Sequence, residues 1–131
     1  MINTYEAYLK HPAGNILTVE DALRIYGKLA KCIEQCTLED KMEFWQDLLK
    51  RAAEYSRIRN GWETMSREEK MDADEGRTLS HDGVITALNV LSRIAEKEQV
   101  DNSWRSELGE ERKRIGDFAC FIAYITGISN R

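Results

Sequence analysis

Two short clusters of acidic residues form the pattern in this sequence that most directly suggests chemistry. The first cluster is Glu39, Asp40 and Glu43, and the second is Glu69 with Asp72. Residues three or four positions apart share one face of a helix, so each cluster can present its carboxylates together. Carboxylate oxygens are ligands that Mg²⁺ prefers, and a bound Mg²⁺ can bridge the phosphates of a nucleotide. If the two helices face each other, the clusters predict a magnesium site.

The spacing of these acidic residues resembles the E-E-x-x-E … E-x-x-D signature of the all-helical NTP pyrophosphohydrolases. The resemblance covers segments 39–43 and 69–72 and implies a Mg²⁺-dependent nucleotide hydrolase. Asp40 stands where that family has a second glutamate, and the second segment is expected in a short helix rather than a long one. A purely structural role also fits, because acidic residues near a helix start complement its dipole and Glu69 can form a capping box with Ser66.

Histidine and cysteine residues offer two further candidates for metal or acid–base chemistry. His81 and Asp82 can form part of a metal site or a base with its orienting group. Adjacent helical positions point about 100° apart, however, which favours a polar first helix turn. Cys32 and Cys36 lie one turn apart, and no other Cys or His completes a tetrahedral set with them. With three cysteines in all, we expect free buried thiols that behave as small hydrophobic residues.

Composition limits the classes of partner. The chain has 131 residues, 42% of them hydrophobic, and a formal net charge of -4 from 19 basic and 23 acidic residues. This length fits one domain spanning residues 1–131. Charges of both signs are interspersed rather than forming a basic stripe, which argues against a nucleic-acid partner. The absence of a long apolar run and of an apolar N-terminal leader, with the odd cysteine count, predicts a cytoplasmic protein without membrane contact.

Apolar periodicity predicts an all-α fold, a helical bundle of four main helices plus one or two short ones. Capping residues mark several helix starts: Thr18 precedes the first main helix, and Ser66 with Glu69 precedes a short polar helix. The pattern predicts main helices at 18–36, 37–60, 80–98 and 110–126, and short helices at 4–10 and 67–73.

Three details of packing follow from the same pattern. Because Thr37 starts the second main helix directly after the first, these two helices should form an antiparallel hairpin. The sequence Asp-Ala-Asp-Glu-Gly at 72–76 is typical of a turn. The helix at 80–98 begins at the capping residue Ser80 and has the widest apolar arc, so we expect it at the centre of the bundle. Its expected partner is the C-terminal segment 118–128.

The same C-terminal segment, 118–128, carries no charge and has more apolar surface than one neighbour can cover. Either several neighbouring helices cover the side that carries Phe121, Tyr124 and Ile128, or a second copy of the chain does. In the second case these three residues are the expected interface. Trp104 lies in a polar loop context and is either a further interface anchor or a residue that covers the core.

Taken together, these patterns favour a non-enzymatic domain that needs no cofactor and acts through protein–protein interaction. Its partner is another protein or a second copy of the chain, giving a homo-oligomer. The small single-domain format suggests a bacterial or phage protein. The alternatives are the Mg²⁺-dependent nucleotide hydrolase described above and an inhibitor that mimics nucleic acid.

Overall fold

A computed structural model describes residues 16–62 and 64–128. Within these ranges the chain forms five helices and no strand, so the predicted all-α bundle of four main helices and a short one is confirmed. The predicted helix at 4–10 lies outside the described residues. The helices are α1 (Val19–Gln35), α2 (Lys41–Trp62), α3 (Arg67–Lys97), α4 (Ser103–Leu108) and α5 (Arg112–Ile125).

Helix α2 is the element on which the bundle is built. It packs most extensively against α3 and next against α5, whereas α1 packs mainly against α4. The prediction that α3 is the main partner of the C-terminal helix is therefore wrong. Helix α3 runs antiparallel to α2, since Arg51 donates to the carbonyl of Gly83 at 3.3 Å and Trp62 lies 4.3 Å from the guanidinium of Arg77.

The junction between α1 and α2 differs from the predicted tight hairpin. Thr37 does not cap the second helix, which begins only at Lys41. The backbone N–H and the hydroxyl of Thr37 both donate to Glu98 Oε1 at 2.6 Å, so a residue distant in the sequence satisfies them. Helices α1 and α2 are not among the closely packed pairs, and the close antiparallel hairpin is instead formed by α2 and α3.

Helix α3 is a single helix where the sequence predicted a short helix, a turn and a second helix. Ser66 forms the predicted capping box with Glu69, but the helix then continues through 72–76 without a break. Ser80 consequently lies in the middle of the helix and caps nothing. One glycine in a helix interior costs only about 1 kcal/mol, so Gly76 does not end a helix whose later turns are packed into the core.

The core is formed by apolar side chains from all five helices. Trp104 and Phe118 are among the largest fully buried side chains, and Trp104 lies in α4 rather than in the predicted loop. Gly109 ends α4 with a φ of 81°, a left-handed conformation that glycine adopts without a steric penalty. None of the helices in the described part of the chain is both long and apolar enough to cross a membrane.

Candidate functional site

An open groove lies where α1 and α2 diverge. Its volume is 360 Å³. We call it the α1–α2 groove. Its lining is mostly apolar, with one acidic and one basic residue: Ala30, Ile33, Glu34, Lys41, Met42 and Trp45.

Two apolar stripes face each other across this groove. Ala30 and Ile33 belong to α1, while Met42 and Trp45 lie in the first turns of α2. Residues three or four apart on a helix share one face, so each helix presents a continuous side to the groove. No residue of α2 between 41 and 47 is buried, so residues 16–62 and 64–128 leave this part of the helix uncovered. Met42 keeps 51% of its surface exposed.

Aromatic rings connect the groove to the core. The ring of Tyr26 lies 6.2 Å from that of Trp45 in a tilted arrangement and 6.3 Å from that of Phe121 in an edge-on arrangement. Aromatic pairs at such separations add about 0.5–1.5 kcal/mol beyond the burial of their area. These contacts link Trp45 to the core through Tyr26.

Two sets of polar contacts, one local and one long-range, fix the edge of the groove where α1 ends. The Lys41 ammonium donates to the carbonyls of Cys36 at 2.8 Å and Glu34 at 3.2 Å, which the end of α1 leaves available. Glu98, at the end of α3, accepts from the N–H and hydroxyl of Thr37. These hydrogen bonds lower the pKa of Glu98 below its usual 4.5. The connection from α1 to α2 is therefore held from both sides.

The cysteines behind the groove are chemically quiet. Cys32 and Cys36 are free and buried, as is Cys120. Burial raises the pKa of Cys36 to about 11, so its thiol stays protonated at neutral pH. Because the thiolate is both the nucleophile and the metal ligand, this cysteine is suited to packing rather than to reaction.

A closed polar cluster lies at the other end of α2, around Asp117 of α5. This carboxylate is fully buried, and Arg59 donates to its Oδ1 at 2.5 Å. The backbone N–H groups of Ile16 and Leu17 donate to its Oδ2 at 2.7 and 3.0 Å. Both oxygens are thus occupied, so Asp117 ties the start of α1 to α2 and α5 and is not available as a catalytic base.

Smaller polar groups complete the cluster between α2 and α5. Ser56 is fully buried and accepts from the Asn60 amide at 3.3 Å. The same amide nitrogen donates to the Tyr124 hydroxyl. Arg59 also donates to Cys120 Sγ at 3.6 Å. These hydrogen bonds satisfy side chains that would otherwise be buried without partners, and they fix the register of α5 along α2.

His81 is buried nearby, at the junction of α3 with α5. Its Nε2 lies 2.7 Å from the carbonyl oxygen of Arg112, so this nitrogen carries the proton. Its Nδ1 lies 3.9 Å from Asp82 and has no hydrogen-bond partner among the described residues. Burial lowers the pKa of His81 below 6.5, so the ring is neutral at pH 7. Its ring packs edge-on against Tyr55 at 5.3 Å, a contact that the adjacent His-Asp pair did not predict.

The structure does not bring together the two acidic clusters predicted to bind magnesium. Glu39, Asp40 and Glu43 lie at the start of α2, whereas Glu69 and Asp72 lie at the start of α3. Because these two helices are antiparallel, their starts are roughly 30 Å apart at 1.5 Å per residue. Within residues 16–62 and 64–128, no three His, Cys, Asp or Glu side chains gather closely enough to hold a metal ion.

The predicted interface residues divide into two groups. Phe121 and Trp104 are 1% and 0% exposed, because α5 and α4 turn them into the chain's own core. These two side chains leave almost no surface for a partner to contact. Their role as interface anchors stays a prediction. Tyr124 and Ile128 are partly buried and pack against the core, which leaves only part of each side chain accessible.

The sequence did not single out the residues that line the groove, nor Asp117. Met42 and Trp45 are three positions apart in the second helix, and nothing in the sequence marks its first turns as uncovered. A signal did exist for Asp117, which is the only charged residue between 115 and 128. A lone carboxylate in an apolar helix requires a buried partner, and Arg59 meets that need.

The groove and the polar cluster must be interpreted from their own chemistry. No known protein family, curated protein or solved structure matches this chain.

Proposed function

We propose that this protein is a cytoplasmic helical interaction domain whose α1–α2 groove binds an amphipathic helix of another protein. The observation that carries this proposal is the uncovered apolar lining of a groove bounded by two helices. Many proteins bind an amphipathic helix in a hydrophobic groove. The groove receives the apolar side chains at positions i, i+3 or i+4, and i+7 of that helix.

The chemistry of the groove suits an apolar side of a helix rather than a charged ligand. The Lys41 ammonium is already bonded to two carbonyls at the end of α1, so its charge is directed at the chain itself. The remaining charge in the lining is the exposed carboxylate of Glu34. Met42 and Trp45 offer an adaptable and a rigid apolar surface, a combination common at protein interfaces.

A cytoplasmic location fits the thiols. Cys32, Cys36 and Cys120 are all free and buried. Disulfides form in oxidising compartments and are rare in the reducing cytosol. A reducing environment is therefore the one in which these three cysteines remain free thiols.

The test is a selection of helical peptides against the full chain, from a library in which surface positions of a single helix vary. We expect the selected peptides to carry large apolar residues along one face. Met42→Glu should weaken their binding at least tenfold, because a carboxylate would be buried against the incoming apolar face. Fluorescence anisotropy of labelled peptides measures the change.

The matched control is Met71→Glu, the same substitution at an exposed methionine of α3 that lies outside the groove. We expect it to leave these peptides bound. Selected peptides that are insensitive to Met42→Glu would disprove the groove as the site. Sedimentation equilibrium of the chain alone tests the competing occupant: a dimer that Met42→Glu dissociates would identify a second copy instead.

A further inference from the structure

The first half of α3 stands outside the core. Among residues 57–62 and 64–80, where α2 ends and α3 begins, none is buried. The first buried residue of α3 is His81. We call residues 67–80 the α3 arm; it is roughly 20 Å long at 1.5 Å per residue. One side of the α3 arm packs against the end of α2, and the other side is exposed. The arm therefore belongs to the surface of the protein and not to its core.

The free side of the arm combines apolar and acidic residues. Met71 and Leu79 are the two most exposed large hydrophobic residues of the described chain, at 71% and 64%. Helical geometry places three exposed carboxylates in the same arc of about 100° as these two side chains. We call this surface the acidic face: Glu68, Met71, Asp72, Glu75 and Leu79.

The charges of the acidic face are not compensated by the residues that the structure describes. Glu68 and Asp72 are one turn apart, as are Asp72 and Glu75, and like charges at such spacing destabilise a helix by about 0.2–0.5 kcal/mol per pair. None of these three carboxylates has an ion-pair or hydrogen-bond partner among residues 16–62 and 64–128. The neighbouring side of the arm differs, because Arg77 pairs with Asp74 at 3.0 Å.

We propose that the acidic face binds a basic amphipathic segment of another protein. Lysine or arginine side chains of the partner would pair with Glu68, Asp72 and Glu75, and apolar side chains between them would cover Met71 and Leu79. Binding would remove the like-charge repulsion within the arm and the exposure of its two large apolar residues, so both features of the surface favour the same partner.

Electrostatics argues against the other occupants of this surface. A second copy would bring the same three carboxylates against each other, and the whole chain already carries a formal charge of -4. Nucleic acids and anionic membranes would be repelled for the same reason. The α1–α2 groove is at the far end of α2, so the acidic face is a separate surface, and its test does not depend on the groove.

The test uses two synthetic helical peptides with the same leucine pattern, one with lysines and one with glutamates at the flanking positions. We expect the basic peptide to bind the full chain and the acidic peptide not to bind. High salt should weaken binding, since the screening length of exposed charges falls from about 10 Å at 0.1 M to about 3 Å at 1 M ionic strength. Fluorescence anisotropy at low and high salt measures both effects.

Variants with an equal change of charge separate the acidic face from the net charge of the chain. The triple variant Glu68→Gln, Asp72→Asn, Glu75→Gln should weaken binding about tenfold, since exposed ion pairs contribute about 0.2–1 kcal/mol each. The control Glu43→Gln, Glu54→Gln, Glu96→Gln makes the same change elsewhere and should have little effect. Equal weakening by both triple variants would show nonspecific attraction and overturn the proposal.

A second pair of variants tests the apolar part of the acidic face. Met71→Ser with Leu79→Ser should also weaken binding of the basic peptide about tenfold, while Met42→Ser in the groove should not. Amide chemical shifts in a titration should change along 67–80. Failure of the basic peptide to bind, or shifts confined to other helices, would disprove this surface as the site. Circular dichroism confirms that each variant is folded.

Discussion

The two ends of helix α2 differ in which side chains they bury: polar groups are buried near its C-terminal end, and apolar groups are exposed near its start. Near its C-terminal end, charged and hydroxyl groups are enclosed, with Asp117 at 0% exposure. Near its start, Met42 remains 51% exposed beside a half-buried Trp45. Because soluble chains normally bury apolar groups and expose charged ones, each end departs from the simplest expectation in a different direction.

The difference indicates that the C-terminal end of α2 stabilises the fold, whereas the start of α2 is available for binding. A buried carboxylate persists only when its partners are all present, so the cluster around Asp117 fixes how α1, α2 and α5 meet. Exposed apolar side chains add little to folding, so the exposed part of the α1–α2 groove, such as Met42, contributes little to it. Mutations should therefore separate the two regions: stability should depend on the closed end, and binding on the open one.

The largest effect should come from Asp117→Ala. The substitution leaves the Arg59 guanidinium and the N–H groups of Ile16 and Leu17 without their acceptor. Removing one partner of a buried ion pair costs about 3–5 kcal/mol. Urea unfolding followed by circular dichroism measures the loss. The control is Asp47→Ala, which breaks an exposed pair with Arg51 and should change stability by less than about 1 kcal/mol. Equal effects would contradict the special role of the closed end.

A pair of glycine substitutions should have opposite signs. A Cβ added at Gly116 would lie 2.7 Å from the Tyr55 hydroxyl, which is held in a buried site. Gly116→Ala should therefore destabilise the protein by about 1–3 kcal/mol. At Gly76 an added Cβ meets nothing within 4 Å. Gly76→Ala should stabilise α3 by about 0.5–1 kcal/mol. Thermal unfolding of both variants compares them, and stabilisation by Gly116→Ala would show that the cluster is loosely packed.

The contribution of Glu98 to the edge of the groove should depend on pH. The hydroxyl and N–H of Thr37 lower the pKa of Glu98 below 4.5 in the folded state. The unfolded chain therefore takes up the proton first as the pH falls. The stabilisation is complete above pH 4.5 and is lost as the pH falls through the lowered pKa. The difference in melting temperature between the wild type and Glu98→Gln should be positive at pH 7 and shrink in acid; a pH-independent difference would contradict this.

The smallest effect should come from Met42→Ser at the open end. Half of this side chain is in water, so its removal should change the free energy of unfolding by no more than about 1 kcal/mol. The buried counterpart is Leu48→Ser on the same helix, which should cost several times as much because Leu48 is 0% exposed. Chemical denaturation of both variants provides the comparison. A large loss for Met42→Ser would mean that the groove is part of the core.

Local sequence signals located most helices within a few residues. The predicted helices at 18–36 and 110–126 match α1 and α5, and the capping box at Ser66 marks the start of α3. These features depend on side chains that act on neighbouring backbone, which is why a sequence window contains them. Trp104 shows the limit, because its polar neighbours suggested a loop although tertiary packing encloses it.

The sequence by itself determined the all-α class, the main amphipathic stripes and the quiet chemistry of the buried thiols. Only the tertiary structure decided which helices pack together and which carboxylates meet. The acidic clusters at 39–43 and 69–72 fit one motif in sequence, yet antiparallel packing of α2 and α3 holds them apart. Asp117 and Arg59 showed no relation in sequence, yet parallel packing of α2 and α5 joins them. Long-range contacts of this kind depend on the direction and register of helices, which short periodic patterns do not encode.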